Sequence, residues 1–201
     1  MALIDLLYRC PVCGRDPTEV KSDQVFCPDC GSSFEAAPPT GETRIRVRHP
    51  RGTLDIQAGV LTRRIQRFGG AETRASRDGI LRARARVRLR LITGEAPFRF
   101  RDRLMGFIER IGPPMRGELH LDGDILDFQG DEARQWHLDD IAALQTTSSS
   151  VQLSFVDDSV VIFRLEDESV RRWEDLLRKA LSQHWWEQGR GEIREFQPRL
   201  R

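Results

Sequence analysis

Apolar and polar positions alternate most regularly between residues 82 and 91, where Ala83, Ala85, Val87, Leu89 and Leu91 interleave with Arg82, Arg84, Arg86, Arg88 and Arg90. Period two is the mark of a half-buried strand, so the first five predict a core face and the five arginines an outer one. At a rise of about 3.3 Å per residue the arginines form a ladder about 26 Å long. Shorter alternating runs predict strands near 117–121, 124–129, 134–138, 142–147, 150–156 and 159–165. Turn residues separate them at Asp122-Gly123, Gln129-Gly130-Asp131, Ser148–Ser150 and Asp157-Asp158.

The period then changes. Val170, Trp173, Leu176/Leu177, Ala180/Leu181 and Trp185 recur every three or four residues, which predicts a helix from Asp167 or Glu168 to Gln188, ended by Gly189. Leu104, Phe107, Ile108 and Ile111 predict a second, shorter helix at about 102–111, stopped by Gly112-Pro113-Pro114. Two parts of the chain also look alike. Residues 51–61 match 116–126 at an offset of 65, and 87–91 match 151–155 at 64. Phe98, Phe100 and Asp102 align with Phe163, Leu165 and Asp167. A common order at nearly constant offset predicts a tandem repeat of strands followed by a helix.

Four cysteines, the only ones in the chain, stand before this region as two pairs, Cys10/Cys13 and Cys27/Cys30, each in the frame Cys-Pro-x-Cys-Gly. Four thiolates converging from two tight turns suit a tetrahedral soft metal. Gly14 and Gly31 remove side chains where the backbone folds back, and Pro11 and Pro28 stiffen each turn. A redox dithiol would not need two matched pairs, disulfides need an oxidising compartment, and iron fits the short thirteen-residue gap less well. Structural Zn2+ on Cys10, Cys13, Cys27 and Cys30 is therefore expected, contributing on the order of 10 kcal/mol to folding. The stretch resembles the zinc-ribbon family over about residues 8–35. A site closed by four cysteines has no open position for catalysis. The loop between the knuckles carries Arg15 and Lys21 against Asp16, Glu19 and Asp23, so it is not basic.

An antiparallel strand run closed by a helix with an inward Trp is similar to the PH-like family, which includes GRAM and small bacterial PH domains. Gly117–Phe128, Trp136–Leu144, Val151–Phe155, Val160–Leu165 and Trp173 carry that resemblance. The expected fold is mainly β (α+β): a ribbon at 1–35, a linker at 36–43, PH-like modules at 44–112 and 116–188, each closed by a C-terminal helix, and a tail at 189–201. The resemblance implies docking to protein or to lipid headgroups. The hairpins 57–59 and 122–124 hold no basic residue for the family's headgroup loop.

The chain has 201 residues, 39% of them hydrophobic and 31% charged, with net charge +1. That balance hides a division. Residues 1–40 carry 3 basic and 6 acidic side chains, residues 41–116 carry 19 and 7, and residues 117–201 carry 10 and 18. The basic middle attracts an anionic polymer or bilayer, or pairs with the acidic end. Arg82, Arg84, Arg86, Arg88 and Arg90 are thus candidates for anionic-surface binding, and Trp185 and Trp186 for a partner patch. No aromatic interleaves with the arginines to stack single-stranded bases.

No apolar run approaches the roughly 20 residues that cross a bilayer. The start MALIDLLYR lacks a basic n-region and a cleavage site, so a cytoplasmic protein is expected. His49, His120, His137 and His184 are scattered, no phosphate-cradling loop or nucleophile motif occurs, and Asp122, Asp124, Asp127 and Asp131 do not have EF-hand spacing. These observations lead to a non-enzymatic zinc-binding adaptor that docks protein or an anionic surface. Nucleic-acid binding through the arginine strand and ribbon is the alternative. An accessory subunit of a membrane-lipid enzyme is the third reading.

Overall fold

The computed structural model describes residues 3–21, 24–38, 43–68 and 82–190. They are mainly β, in two antiparallel sheets with few helices. Among the described residues, those up to Phe68 together with 168–177 form one compact unit, and 82–167 with 178–190 form the other. Residues 39–42 of the expected linker, residues 69–81 of the expected first module and residues 191–201 of the expected tail lie outside the described residues.

The first unit begins with the short helix α1 (Leu3–Leu6) and then a five-stranded meander, β1 (Glu19–Lys21), β2 (Gln24–Phe26), β3 (Ser33–Ala36), β4 (Arg44–His49) and β5 (Gly52–Gln57), paired in sequence order. The expected linker therefore joins neighbouring strands: Phe34 pairs with Val47 and Ala36 with Ile45. Alternation decides the faces. Ile45 and Val47 are buried, whereas Arg46 bridges to Asp55 at 2.9 Å and Arg48 to Glu35 at 2.6 Å on the other face. Helix α2 (Ala58–Arg67) follows, burying Leu61 and Ile65.

The second unit holds β6 (Arg82–Phe100), β7 (Arg103–Ile111), β8 (Met115–Asp122), β9 (Ile125–Gly130), β10 (Arg134–His137), β11 (Ile141–Thr146), β12 (Ser150–Phe155) and β13 (Val160–Leu165). Its sheet runs in the order β10-β9-β8-β6-β13-β12-β11, with β7 paired to β6 alone. The six strands expected between 117 and 165 all form, within two residues of their expected ends. Ala85, Val87 and Leu89 are buried between exposed arginines, as the alternation requires.

Helix α3 (Val170–Glu187) closes the described chain. The Ser169 hydroxyl accepts a hydrogen bond from the Arg172 amide at 3.2 Å, so the helix starts later than Asp167 or Glu168 and has no acid in its first turn. Every residue of its expected apolar stripe is buried. Gly189, at φ +68°, ends it, with its amide donating to Trp186 O.

Two expectations need correction. Residues 102–111 are not a helix: Arg103–Ile111 is strand β7, in register with β6 from Ile92↔Ile111 to Phe100↔Arg103. Its apolar residues lie on both faces of a ribbon, and such a pattern mimics a spacing of three and four. The 65-residue correspondence also fails to give matching elements. Residues 58–61 open α2 where the matched 123–126 turn into β9, and Phe98 and Phe100 lie in the β6–β7 hairpin where Phe163 and Leu165 lie in a central strand. Strand alternation produced the likeness. The strands assigned to the first module belong to two sheets, with β4 and β5 in one and β6 in the other.

Candidate functional site

The four cysteines come together in the first unit. Their sulfurs all lie within 4.8 Å of one another. Cys10 Sγ is 3.7 Å from Cys30 Sγ and Cys13 Sγ is 3.5 Å from Cys27 Sγ. A tetrahedron with metal–sulfur bonds of about 2.3 Å has edges of about 3.8 Å. A disulfide requires about 2.05 Å. The spacing fits four thiolates around one metal ion.

Both turns have one design. Gly14 N donates to Cys10 O at 2.9 Å and Cys10 N to Arg15 O at 2.8 Å; Gly31 N donates to Cys27 O at 3.0 Å and Cys27 N to Ser32 O at 2.8 Å. Closing that loop needs the left-handed backbone of Gly14 (φ +81°) and Gly31 (φ +69°), which explains the repeated Cys-Pro-x-Cys-Gly frame. A Cβ on Gly14 would also stand 3.0 Å from the Phe68 ring.

The thiols do not share one environment. Burial pushes the Cys10 thiol well up, and it takes Cys27 to about 11 against amide hydrogen bonds from Cys30 and Asp29. Burial would also raise Cys30, but hydrogen bonds from the Ser32 hydroxyl and amide outweigh it and bring this thiol to about 7. Cys30 gives up its proton more readily than Cys10 or Cys27, from which a metal must displace protons.

The surroundings contain residues the sequence did not single out. Arg9 is buried, donates from Nε to Gly14 O at 2.7 Å and from Nη1 to Phe68 O at 2.6 Å, and lies over the Phe68 ring at 5.3 Å. Arg172 Nε meets Asp16 Oδ1 at 2.6 Å, and Arg172 Nη1 meets Glu168 at 3.2 Å. The Tyr8 hydroxyl donates to Asp175 and the Val170 amide to Asp5 Oδ1. Charged residues next to apolar ones read as surface in a sequence. Only the fold reveals that Asp5, Arg9, Asp16 and Arg172 are buried.

In the second unit the five arginines share the outer face of β6, though three are engaged. Arg82 pairs with Asp122 at 2.9 Å, Arg86 with Asp167 at 2.7 Å, and Arg88 with Glu166. Arg84 and Arg90 make no ion pair among the described residues. Across the strands, Arg88 stands between Arg116 and Arg164. Trp185 is buried beneath the Arg190 guanidinium at 4.9 Å, and Trp186 is 82% exposed. His184 contacts Asp139 at 2.9 Å and His120 contacts Glu118 at 3.2 Å. No helix among the described residues is long and apolar enough to cross a membrane.

No family model matches the chain, and no curated protein is significantly similar to it.

Proposed function

We propose that this chain is a non-enzymatic, zinc-binding adaptor that docks through its β-rich second unit to protein or to an anionic surface. The observation that carries the reading is the closed set of four cysteine sulfurs. Thiolates at tetrahedral spacing select zinc over harder cations. With all four positions filled by protein, the ion holds the knuckles and leaves no site for substrate. The reading takes the second unit as a single PH-like module starting at Arg82. It is supported by that unit's seven antiparallel strands, β6 and β8–β13, and by the second half of α3, from Arg178 on, which belongs to the same unit.

The engagement of Arg82, Arg86 and Arg88 by carboxylates weighs against the nucleic-acid alternative, because those cations are already compensated. The test has two arms. Native mass spectrometry of the purified chain should find one zinc, lost on Cys13→Ser with Cys27→Ser. A salt series should then find binding to anionic vesicles or a defined protein target. A chain without zinc, or one whose salt-dependent binding is to single- or double-stranded nucleic acid alone, overturns the reading.

A further inference from the structure

Beyond Leu91, β6 leaves both sheet neighbours and pairs only with β7, so residues 92–111 form a two-stranded hairpin. An isolated ribbon of two strands is marginal in water and ordinarily needs apolar cover. Here the cover is missing among the described residues: Phe107 is 63% exposed, Phe100 59%, Met105 56% and Ile108 55%. Single exposed apolar residues need no explanation, but this many along one ribbon mark a docking surface.

The register identifies what can cover it. Ala96↔Ile108 and Phe98↔Gly106 set Phe98 and Ile108 on one face, while Pro97↔Phe107 sets Phe107 on the other. A second copy or a flat protein partner covers one face and leaves the other wet. A bilayer interface surrounds both.

Charge follows the same axis. The acids Glu95 and Glu109 face each other near the base of the hairpin, beside Arg110, which lies opposite Gly94. Arg99, Arg101 and Arg103 cluster at its tip against Asp102, where Arg101 and Asp102 turn the chain with φ of 46° and 62°. Arg101 also lies over the Phe100 ring at 5.4 Å. Arginine stems lie along apolar surface while their heads reach polar groups, so this tip can seat aromatic rings among acyl chains and guanidinium groups at phosphates.

We propose that the 92–111 hairpin is a membrane arm that lies in the interface of an anionic bilayer, with its apolar side chains on both faces buried and Arg99, Arg101 and Arg103 at the lipid phosphates. This rests on the adaptor reading and names the anionic surface within it. It requires no headgroup pocket, and the arginines of the β6 ladder take no part.

The test uses the full zinc-loaded chain with vesicles of phosphatidylcholine alone or mixed with phosphatidylglycerol. Flotation should show binding to the mixed vesicles only. Phe98→Asp with Phe107→Asp should lower the partition coefficient by at least about tenfold, and Arg99, Arg101 and Arg103→Gln by about fivefold per arginine. Phe107→Trp, in a Trp186→Phe background, should shift its emission to the blue on binding and be quenched by brominated acyl chains. Unchanged zinc content and circular dichroism separate these effects from misfolding. Failure of the native chain to bind mixed vesicles overturns the proposal. Binding that survives the aspartate pair, or that leaves Phe107→Trp unquenched, also overturns it, and the adaptor reading then stands on another surface. A concentration-dependent dimer abolished by the aspartate pair, without vesicle binding, assigns the hairpin to a second copy instead.

Discussion

Arg172 Nε donates to Asp16 Oδ1 at 2.6 Å with both side chains nearly out of solvent, at 8% and 1% exposure. The pair joins the start of α3 to the second residue after the first knuckle within one compact unit. Removing one member leaves the other's buried charge less well compensated. Arg172→Met should destabilise the protein by about 3–5 kcal/mol, while Asp16→Leu combined with Arg172→Met should recover much of that loss. Chemical denaturation of the two single variants and the double variant measures the difference. Equal losses in all of them would mean that packing of the long Arg172 stem, not the charge pair, matters.

What is legible in the sequence and what is concealed divide along physical lines. The cysteine frame is legible because metal ligation and the left-handed Gly14 and Gly31 impose residue identity at fixed spacing. The strands from 117 to 165 are legible because Asp-Gly and Asp-Asp turns interrupt clean alternation, and α3 because one stripe faces a core. Strand β7 reads as a helix because the hairpin it forms with β6 has apolar groups on both faces, so period two disappears. Pro97 and Gly94 within a 19-residue strand further disguise the hairpin. Asp16 and Arg172 are concealed because burial of a charge depends on a partner 156 residues away.

Metal loading should release protons in a predictable direction. Cys27, raised to about 11 by burial, and Cys10, raised further, hold their protons at pH 8, whereas Cys30, at about 7, is largely ionised there. Titrating zinc into metal-free protein at pH 8, in two buffers of different ionisation enthalpy, should show release of at least the protons of Cys10 and Cys27. Affinity should fall steeply as pH drops, since more thiolates must then be deprotonated. Calorimetry showing no buffer dependence would mean the thiols are already ionised in the free site.

Gly117 and Gly130 face each other across β8 and β9. A Cβ on Gly117 would stand 2.4 Å from Gln129 O and 2.7 Å from the Phe128 ring, and one on Gly130 would stand 2.2 Å from Arg116 O. Backbone atoms cannot yield as a flexible side-chain tip does. Gly117→Ala should therefore cost about 1–3 kcal/mol, whereas Gly52→Ala, with open space around its Cβ, pays only for its backbone conformation at φ +146°. Comparing thermal midpoints tests the pair, and an unperturbed Gly117→Ala would show that the strands can separate locally.

Tyr8 is the only tyrosine in the chain, so absorbance near 295 nm reports on it alone. Burial, reinforced by the hydrogen bond to Asp175, raises its phenol well above the usual value of about 10. Because the folded state favours the neutral phenol, this contribution to stability is fully present below about pH 10 and is lost as pH rises beyond it, where the unfolded chain ionises and the folded one does not. An alkaline titration should show no tyrosinate at pH 10.5 while the fold persists, then an abrupt rise that coincides with loss of the circular dichroism signal. Asp175→Asn should move that rise to lower pH, since it removes the carboxylate that disfavours the phenolate. A smooth titration centred near pH 10 with the fold intact would place Tyr8 in water and break the link between the N-terminal segment and α3.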